Sequence, residues 1–360
     1  MTISASYKKL TLQFKFDAGT SRGVLKEKDS WFIKIKDNKN PLVYGIGEAA
    51  PLKGLSIDYV PHFEEKLKEV CSLISATSIV NTWQQTIAEL SLQDYPSIVF
   101  ALETAFLDLA NGGERRIFDT AFSRGKQSIP INGLVWMGEK AFMQKQIEEK
   151  LQGGFSCIKI KVGAIDFETE LLLIKEIRNR FSEKDINIRL DANGAFSVEE
   201  AAGKLHELSK YKIHSIEQPI QQGQPEAMAE LCNSSPIPIA LDEELIGVKT
   251  KEDKIELLKT INPPFIILKP TLLGGINSSR EWIELAESRR IKWWFTSALE
   301  SNIGLNAIAE LTSCYSVTIP HGLGTGQIFH NNIESPLVVS LGAINKSPFR
   351  EWDLNAVDKL

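Results

Sequence analysis

The chain has 360 residues, of which 43% are hydrophobic and 24% are charged, and its net charge is −5. This length allows one large barrel with a smaller domain, or two ordinary domains. The mildly acidic balance, without clustered basic residues, argues against nucleic acid and an anionic membrane surface as partners. Because no apolar run is long enough to span a bilayer and no secretory signal pattern is present, we expect a cytoplasmic protein. The four cysteines are far apart in the sequence, which favours reduced thiols.

The first 120 residues predict a domain in which strands come first and helices second. Apolar and polar residues alternate over 7–16, 31–36 and 43–51, as in three antiparallel strands. Helical patterns follow over 59–77, 81–91 and 96–111, and the last ends at an Asn-Gly-Gly stop. The sequence therefore predicts an α+β capping domain over residues 1–120.

From residue 129 the pattern changes to short apolar strands that alternate with helix-length amphipathic segments. The predicted strands begin at Ile129, Cys157, Asn187, Ile213, Ile237, Phe265 and Trp293. Strict alternation is typical of a parallel sheet, and seven units with a last short strand near Val317–Pro320 would close a barrel. We predict an α/β fold, a modified (β/α)7β TIM barrel over 121–330, with the capping domain completed by the C-terminal tail at 331–360.

A polar residue stands at the C-terminal end of each predicted strand from the second to the seventh. These residues are Lys161, Asp191, Glu217, Asp242, Lys269 and Ser297. The C-terminal ends of barrel strands meet at one mouth, which is where barrel enzymes carry their active sites. Because apolar residues precede each polar residue, we expect the set to face a buried site rather than solvent.

Asp191, Glu217 and Asp242 place three carboxylates on consecutive strands. Carboxylates held close together repel one another unless a cation compensates them, and an all-oxygen set favours Mg²⁺ over zinc. Lys161 precedes this set by one unit and Lys269 follows it by one unit, so the two lysines are predicted to flank whatever the metal holds. The arrangement predicts proton abstraction next to a carboxylate, with a lysine as the base.

Lys159 lies two residues before Lys161 on the same strand face. A second ammonium close by lowers the pKa of a lysine toward that of a useful base. Lys159 is therefore predicted to tune Lys161, or to bind a substrate oxygen.

Five motifs resemble those of the enolase superfamily, in its muconate-lactonising subgroup. They are Lys159-Ile160-Lys161, Asp191-Ala192-Asn193, Ile216-Glu217-Gln218-Pro219, Ala240-Leu241-Asp242-Glu243 and Lys269-Pro270. The resemblance runs over nearly the whole chain. It implies Mg²⁺ bound by Asp191, Glu217 and Asp242, with Lys161 and Lys269 on opposite faces of a small carboxylate substrate.

Within that subgroup, residues 296–304 and 321–326 resemble the dehydratases of menaquinone synthesis. The resemblance implies a syn dehydration of 2-succinyl-6-hydroxy-2,4-cyclohexadiene-1-carboxylate through an enediolate. Lys161 would remove the proton alpha to the ring carboxylate and then protonate the departing hydroxyl, whereas Lys269 would act electrostatically.

The same resemblance implies a set of substrate-binding residues. Ser297 and the backbone amides around Gly322 and Gly324 would hold the succinyl end of the substrate. Asn193 would bond near the ring carboxylate. Gly54 and the loop around it are expected to cover the barrel mouth and exclude water.

Three other polar residues are expected to have indirect or structural roles. Glu243 follows a predicted metal ligand and is expected to point away from the centre, either into packing or into a pair with a lysine. Glu300 is expected either to lie at the barrel mouth or to pair structurally with Lys292, and His321 to be a polar loop residue rather than a base.

Two other activities on the same scaffold remain open. Dipeptide epimerases use both lysines as bases and an Asp-x-Asp pair after the last strand, whereas residues 321–326 contain no carboxylate. An N-succinylamino-acid racemase is harder to exclude, because its substrate carries a succinyl group and no ammonium. A non-catalytic binding protein would be expected to lose a ligand or a base, yet all are present. The sequence does not determine the oligomeric state.

Overall fold

The computed structural model describes residues 3–20, 23–76, 82–316 and 318–358. The chain begins with an antiparallel sheet in the order β1-β2-β3. Its strands are β1 (Ile3–Thr20), β2 (Gly23–Asp37) and β3 (Asn40–Ala49), and the helices that follow are α1 (Phe63–Ala76), α2 (Trp83–Glu89) and α3 (Pro96–Ala110). The predicted order of three strands and three helices is present, although residues 77 and 81, at the ends of two predicted helices, lie outside the described residues.

Helix α3 packs directly on β3 because two glycines remove the side chains that would separate them. A Cβ on Gly45 would lie 1.8 Å from the carbonyl oxygen of Ala105, and a Cβ on Gly47 would lie as close to that of Ala101. The other face of the helix joins an apolar core with α1 and the sheet. One face of the sheet is thereby covered by helices, which leaves the opposite face for the barrel.

The second part of the chain alternates strands and helices as predicted. The strands are β4 (Ile129–Pro130), β5 (Gly133–Val135), β6 (Cys157–Lys161), β7 (Asn187–Asp191), β8 (Ser215–Glu217), β9 (Ile239–Leu241), β10 (Phe265–Leu268) and β11 (Lys292–Phe295). The helices are α4 (Lys140–Gln152), α5 (Phe167–Arg180), α6 (Val198–Ser209), α7 (Pro225–Ser234), α8 (Lys251–Ile261), α9 (Pro270–Leu273), α10 (Gly275–Ser288) and α11 (Asn302–Thr312). Strands β5 to β11 form one parallel sheet in chain order. Among the described residues, no helix is long and apolar enough to cross a membrane.

Among the described residues, the barrel closes through single bridges rather than through a full eighth strand. Ile131 pairs with His321, and Thr296 pairs with Gly322, both in parallel. We call residues 321–324 the closing segment. It lies just after the predicted strand at 317–320, whose first residue is outside the described residues. The first predicted strand is also interrupted, because β4 pairs with the tail whereas β5 pairs with β6.

The tail contacts both the barrel and the N-terminal sheet. It contains β12 (Leu337–Ser340), β13 (Ala343–Lys346) and α12 (Asn355–Asp358). Strand β13 pairs with β12 and with β4, while Val357 is buried in a cluster with Phe32 of the sheet. The sequence predicted the contact of the tail with the N-terminal sheet, but it did not predict the pairing of β13 with β4.

A buried carboxylate at the end of β3 joins the N-terminal sheet to the barrel. Glu48 is fully buried and accepts a hydrogen bond from Ser30 Oγ at 2.7 Å. It also accepts from the backbone N–H of Ser301 (2.8 Å), from Ser301 Oγ (2.5 Å) and from the N–H of Gly304 (2.9 Å), all at the start of α11. The positive end of the helix dipole and these donors together stabilise the negative charge.

Candidate active site

The residues predicted at the strand ends come together at the barrel mouth, where Lys161, Asp191 and Lys269 line one cavity, whereas Glu217 and Asp242 are not among the described residues that line it. Lys161, Asp191 and Glu217 are register partners on β6, β7 and β8, and Asp242 and Lys269 directly follow β9 and β10. All five side chains are buried. A cavity of about 560 Å³ lies over these strand ends, between the barrel and the N-terminal sheet, a volume that suits a small-molecule ligand.

Three lysines and three carboxylates form a paired cluster at the barrel mouth. Lys159 Nζ donates to Asp191 Oδ2 at 3.0 Å and to Glu217 Oε2 at 2.7 Å. Lys161 Nζ donates to Asp191 Oδ2 at 3.0 Å, and Lys269 Nζ pairs with Asp242 Oδ2. We call these six residues the mouth cluster.

The two lysines on β6 differ in their electrostatic surroundings. Burial lowers the pKa of Lys161, and the charges of Lys159 and Lys269 add to that effect against the attraction of Asp191. Burial also acts on Lys159, but the carboxylates of Asp191 and Glu217 outweigh it and raise the pKa of this lysine. The neighbouring ammonium groups therefore favour the neutral amine at Lys161, as the spacing predicted.

Asn193 orients Lys161. Its Oδ1 accepts from Lys161 Nζ at 2.7 Å, and its Nδ2 donates to Glu243 Oε1 at 3.0 Å. Asn193 also lines the cavity, and its contact with the substrate stays a prediction. Glu243 contacts this amide and also lies close enough to Lys269 to attract its ammonium.

The mouth cluster contains the candidate magnesium ligands. In the present side-chain arrangement, no three or more His, Cys, Asp or Glu side chains of the described residues are grouped closely enough to hold a metal ion. Lysine ammonium groups take the carboxylate oxygens instead. However, Glu217 Oε1 is buried without a hydrogen-bond partner among the described residues. Three carboxylates on adjacent strands also give the oxygen ligands that Mg²⁺ prefers, so the residues fit this ion once they turn from the lysines toward it.

The hydroxyl of Ser297 is already engaged by other protein groups. It donates to Glu300 Oε2 at 2.5 Å, and it accepts from the N–H of Leu299 at 3.1 Å and from Thr325 Oγ1 at 2.8 Å. Glu300 also accepts from Thr271 Oγ1, so it joins the loop after β11 to α9 rather than pairing with Lys292 as expected. Ser297 lines the cavity, but its hydroxyl positions this loop.

Two glycines of the closing segment differ in what surrounds them. The N–H of Gly322 donates to the carbonyl of Phe295 at 2.8 Å, which argues against the predicted role of this amide in binding the succinyl group. A Cβ at this position would lie 2.6 Å from Thr296 Oγ1. At Gly324, by contrast, a Cβ would make only ordinary contacts, at 3.5 Å and beyond. Both glycines line the cavity.

His321 is a buried part of the barrel wall rather than a polar loop residue. Its Nδ1 accepts from the backbone N–H of Phe295 at 3.0 Å, a geometry that assigns the ring proton to Nε2. Burial lowers the pKa of His321 to about 3. The ring is thus neutral, and its role is structural.

The N-terminal sheet supplies a wall of the cavity that the sequence interpretation missed. Lys28 on β2 lines the cavity and is only 5% exposed, and its Nζ has no hydrogen-bond partner among the described residues. Burial lowers the pKa of Lys28, while Glu48 and Glu300 oppose that shift. The loop around Gly54 also lines the cavity, which agrees with the expected cover.

Comparison with known proteins was made on both sequence and structure. The Enolase C-terminal domain-like family matches residues 142–346. An o-succinylbenzoate synthase from Desulfotalea psychrophila is 45% identical over 95% of this chain and 98% of its own length. The crystal structure of MenC from Desulfotalea psychrophila LSv54 superposes with a TM-score of 0.84 at 42% identity, covering 96% of this chain and 100% of that one.

A more distant structure shows the shared fold. The dipeptide epimerase of Enterococcus faecalis V583, solved with Mg and the dipeptide L-Leu-L-Tyr, has a TM-score of 0.83 at 20% identity and covers 98% of both chains. Relatives named as epimerases or racemases are 21–28% identical to this chain. The chain is therefore less similar to relatives with the two alternative activities than to the o-succinylbenzoate synthase.

These findings confirm the predicted barrel with its capping domain, and they confirm that the protein is an enzyme. Membership of this family generally implies the use of Mg²⁺, and assigning the ion to particular residues stays a prediction. The chain belongs to the enolase superfamily, and within it the chain is 45% identical to an o-succinylbenzoate synthase.

Proposed function

We propose that the protein is a Mg²⁺-dependent o-succinylbenzoate synthase that dehydrates 2-succinyl-6-hydroxy-2,4-cyclohexadiene-1-carboxylate. The observation that carries the proposal is the position of two lysines in one cavity. Lys161 ends β6 and Lys269 follows β10, so they flank the three strands that bear the carboxylates. A small planar carboxylate bound between them would present one face to each ammonium or amine.

Asp191, Glu217 and Asp242 would hold the metal ion. When bound, Mg²⁺ supplies positive charge that stabilises the negative charge developing on the oxygens of the substrate carboxylate. Lys159 and Lys269, which pair with these carboxylates in the structure, would add their positive charges to the stabilisation.

Lys161 is the proposed acid and base. As a neutral amine it takes the proton from the carbon next to the ring carboxylate, and the electron pair of that C–H bond moves into an enediolate. The resulting ammonium then gives its proton to the departing hydroxyl, so that the C–O bond breaks, water leaves and the ring becomes aromatic. Asn193 holds the Nζ in place through the observed hydrogen bond, and the amine returns to its starting state.

Lys269 is proposed to act through its charge. It lies on the opposite side of the carboxylate-bearing strands from Lys161, and it is paired with Asp242. An ammonium held there stabilises the negative charge that spreads over the ring after proton removal. No second proton transfer is required for a syn elimination.

The lining of the cavity argues against a dipeptide as substrate. A dipeptide carries an ammonium group, which needs a carboxylate partner in a buried site. Residues 321–326 contain no carboxylate, and the barrel side of the cavity carries three lysines. A substrate whose charges are all negative fits this environment better.

The proposal is tested with purified enzyme, Mg²⁺ and the cyclohexadiene substrate, whose loss is followed by ultraviolet absorbance. We expect fast dehydration that EDTA abolishes and added Mg²⁺ restores. N-succinylamino acids and dipeptides are incubated in D₂O in parallel, and deuterium at the alpha carbon is measured by mass spectrometry. Exchange into either of these without dehydration would contradict the synthase assignment and leave the lysine assignments intact.

A further inference from the structure

The N-terminal sheet places one buried amine in the wall of the cavity, away from the mouth cluster. Lys28 lies on β2, on the same strand face as Ser30 and Phe32. That face meets the barrel, since Ser30 contacts Glu48 and Phe32 packs against Ile303. Lys28 therefore lies between the sheet and the barrel, where it lines the cavity.

Four carboxylates attract Lys28: Glu48, Glu300, Asp29 and Asp58. Each accepts hydrogen bonds from other groups, Asp58 through its Oδ2 from Ser97, while Asp58 Oδ1 is buried without a partner among the described residues. Glu48 accepts its hydrogen bonds from Ser30, Ser301 and Gly304. Glu300 accepts from Thr271 and Ser297. All four attract the ammonium of Lys28, yet its Nζ has no hydrogen-bond partner among the described residues. A buried ammonium in that condition is costly unless an anion joins it.

Other charged residues line the cavity on the side of the N-terminal domain, namely Lys26, Glu27, Asp29 and Lys53. Asp29, the next residue on β2, is paired with Lys9 at 2.7 Å and accepts from Thr11 Oγ1 at 2.6 Å. At the barrel end, the mouth cluster lysines are paired with carboxylates. The cavity thus has a cationic group at each of two walls, one on the barrel and one on the sheet, which suits a ligand with two separated negative charges.

We propose that Lys28 binds the second carboxylate of the substrate, the one that ends its succinyl chain. The inference rests on the proposed function, which supplies a substrate with one carboxylate on the ring and one on this chain. Lysine carries its charge on a flexible four-carbon stem, so Nζ can turn from its buried position to the ligand. Lys28, rather than the Ser297 hydroxyl, would then bind the succinyl end of the substrate. Lys28 lies close enough to the loop after β11, which contains Ser297 and Glu300, to be attracted by Glu300.

The test compares two ligands on the Mg²⁺-loaded enzyme by calorimetry: o-succinylbenzoate, and its analogue in which the succinyl carboxylate is a methyl ester. The variant Lys28→Met is expected to bind the diacid about 10- to 100-fold more weakly, as loss of a hydrogen bond to a charged group predicts. It should bind the ester as the wild type does. With the cyclohexadiene substrate, KM should rise and kcat should change little.

Lys34→Met is the matched control. Lys34 lies on the same strand and the same face as Lys28 and is equally buried, at 5% exposed, but it does not line the cavity. This variant should bind both ligands normally. If Lys28→Met does not fold, Lys28→Gln gives the same comparison.

Two outcomes would overturn the assignment of Lys28. Equal weakening of the diacid and the ester would show a structural role, as a counter-ion for Glu48 and Glu300. Unchanged binding of both would show no role at all. Wild-type enzyme that neither dehydrates the substrate nor binds the diacid would instead contradict the proposed function, so the two failures are distinguishable.

Discussion

Two buried groups of charges stabilise this protein in different ways. In the mouth cluster, carboxylates are neutralised by flexible lysine side chains. At the joint between sheet and barrel, Glu48 is neutralised by hydroxyls and by the backbone N–H groups of α11. Both sites bury negative charge completely, but only the first opens onto the cavity.

The difference shows which buried charges can serve a reaction. An ammonium on a long side chain can leave its carboxylate and move to a ligand, because both partners are mobile and the ligand replaces the lost charge. Backbone N–H groups cannot move without unfolding the helix that carries them. We therefore expect substitutions in the mouth cluster to remove activity and leave the fold, and substitutions at Glu48 to do the reverse.

The largest effect is expected for Lys161→Ala. Loss of a general acid and base lowers kcat/KM by roughly 10²- to 10⁴-fold, and the thermal midpoint should stay close to that of the wild type. Dehydration is followed by absorbance and unfolding by circular dichroism. Lys254→Ala is the control, because Lys254 is also buried and paired with a carboxylate, Glu281 at 2.7 Å, but lies outside the cavity. It should lower stability and leave activity per folded molecule unchanged. Equal activity loss in both variants would contradict the comparison.

The next effect is expected for Glu48→Ala. This change leaves the donors of Ser30, Ser301 and Gly304 buried without their acceptor, so the free energy of unfolding should fall by about 3 kcal/mol. Chemical denaturation measures the loss, and kcat of the folded enzyme should be retained. Glu114→Ala, at a side chain that is 65% exposed, should change neither quantity. If Glu48→Ala were fully stable, the backbone donors at α11 would not be the main support of this joint.

The residues at the strand ends could be predicted because each strand-helix unit has a similar length, and the C-terminal ends of all barrel strands meet at the same end of the barrel. Lys161, Asp191 and Glu217 each end a strand, and the register of a parallel sheet aligns such ends. The sequence could not show which side-chain groups are already bonded. Ser297 is bonded to Glu300, and the Gly322 amide to Phe295, and only the folded chain fixes those partners.

Lys28 was missed for a related reason. It lies in the run Lys26-Glu27-Lys28-Asp29 near the start of β2, and such a charged run is usually solvated. Its burial depends on the packing of the sheet against the barrel, which no local pattern reports. The alternation that places Lys28 with Ser30 and Phe32 on one strand face is the only signal that could have indicated it.

The third prediction concerns His321, which is held by a backbone N–H as Glu48 is. Its pKa of about 3 in the folded state lies below the ordinary value of 6.5, so only the unfolded chain takes up this proton between those values. The stability from this group is therefore present above pH 6.5 and is lost as pH falls toward 3. Between pH 7 and pH 5 the loss is about 2 kcal/mol.

Urea denaturation at pH 7 and at pH 5 tests this expectation. His321→Gln should be less stable than the wild type at pH 7, but it should lose less stability on acidification. His206→Gln, at an exposed helical position, should follow the wild-type dependence. A His321 variant whose loss on acidification equals that of the wild type would show that the neutral ring does not contribute to the pH dependence.

The smallest effect is expected within the closing segment, where two glycines that both line the cavity differ in the space around them. Gly322→Ala places a methyl group 2.6 Å from Thr296 Oγ1, and such overpacking costs about 1–2 kcal/mol of stability. Gly324→Ala meets no atom closer than 3.5 Å, so its thermal midpoint should be unchanged. If the amide of Gly324 contacts the succinyl group, the added methyl raises KM and leaves kcat in place, which steady-state kinetics on the cyclohexadiene substrate would detect. A normal KM for Gly324→Ala would show that the amide of Gly324 does not contact the succinyl group. If Gly322→Ala is at the same time destabilised, the amide of Gly322 has a structural role. The succinyl carboxylate would then be bound by Lys28 on the opposite wall rather than by either glycine amide.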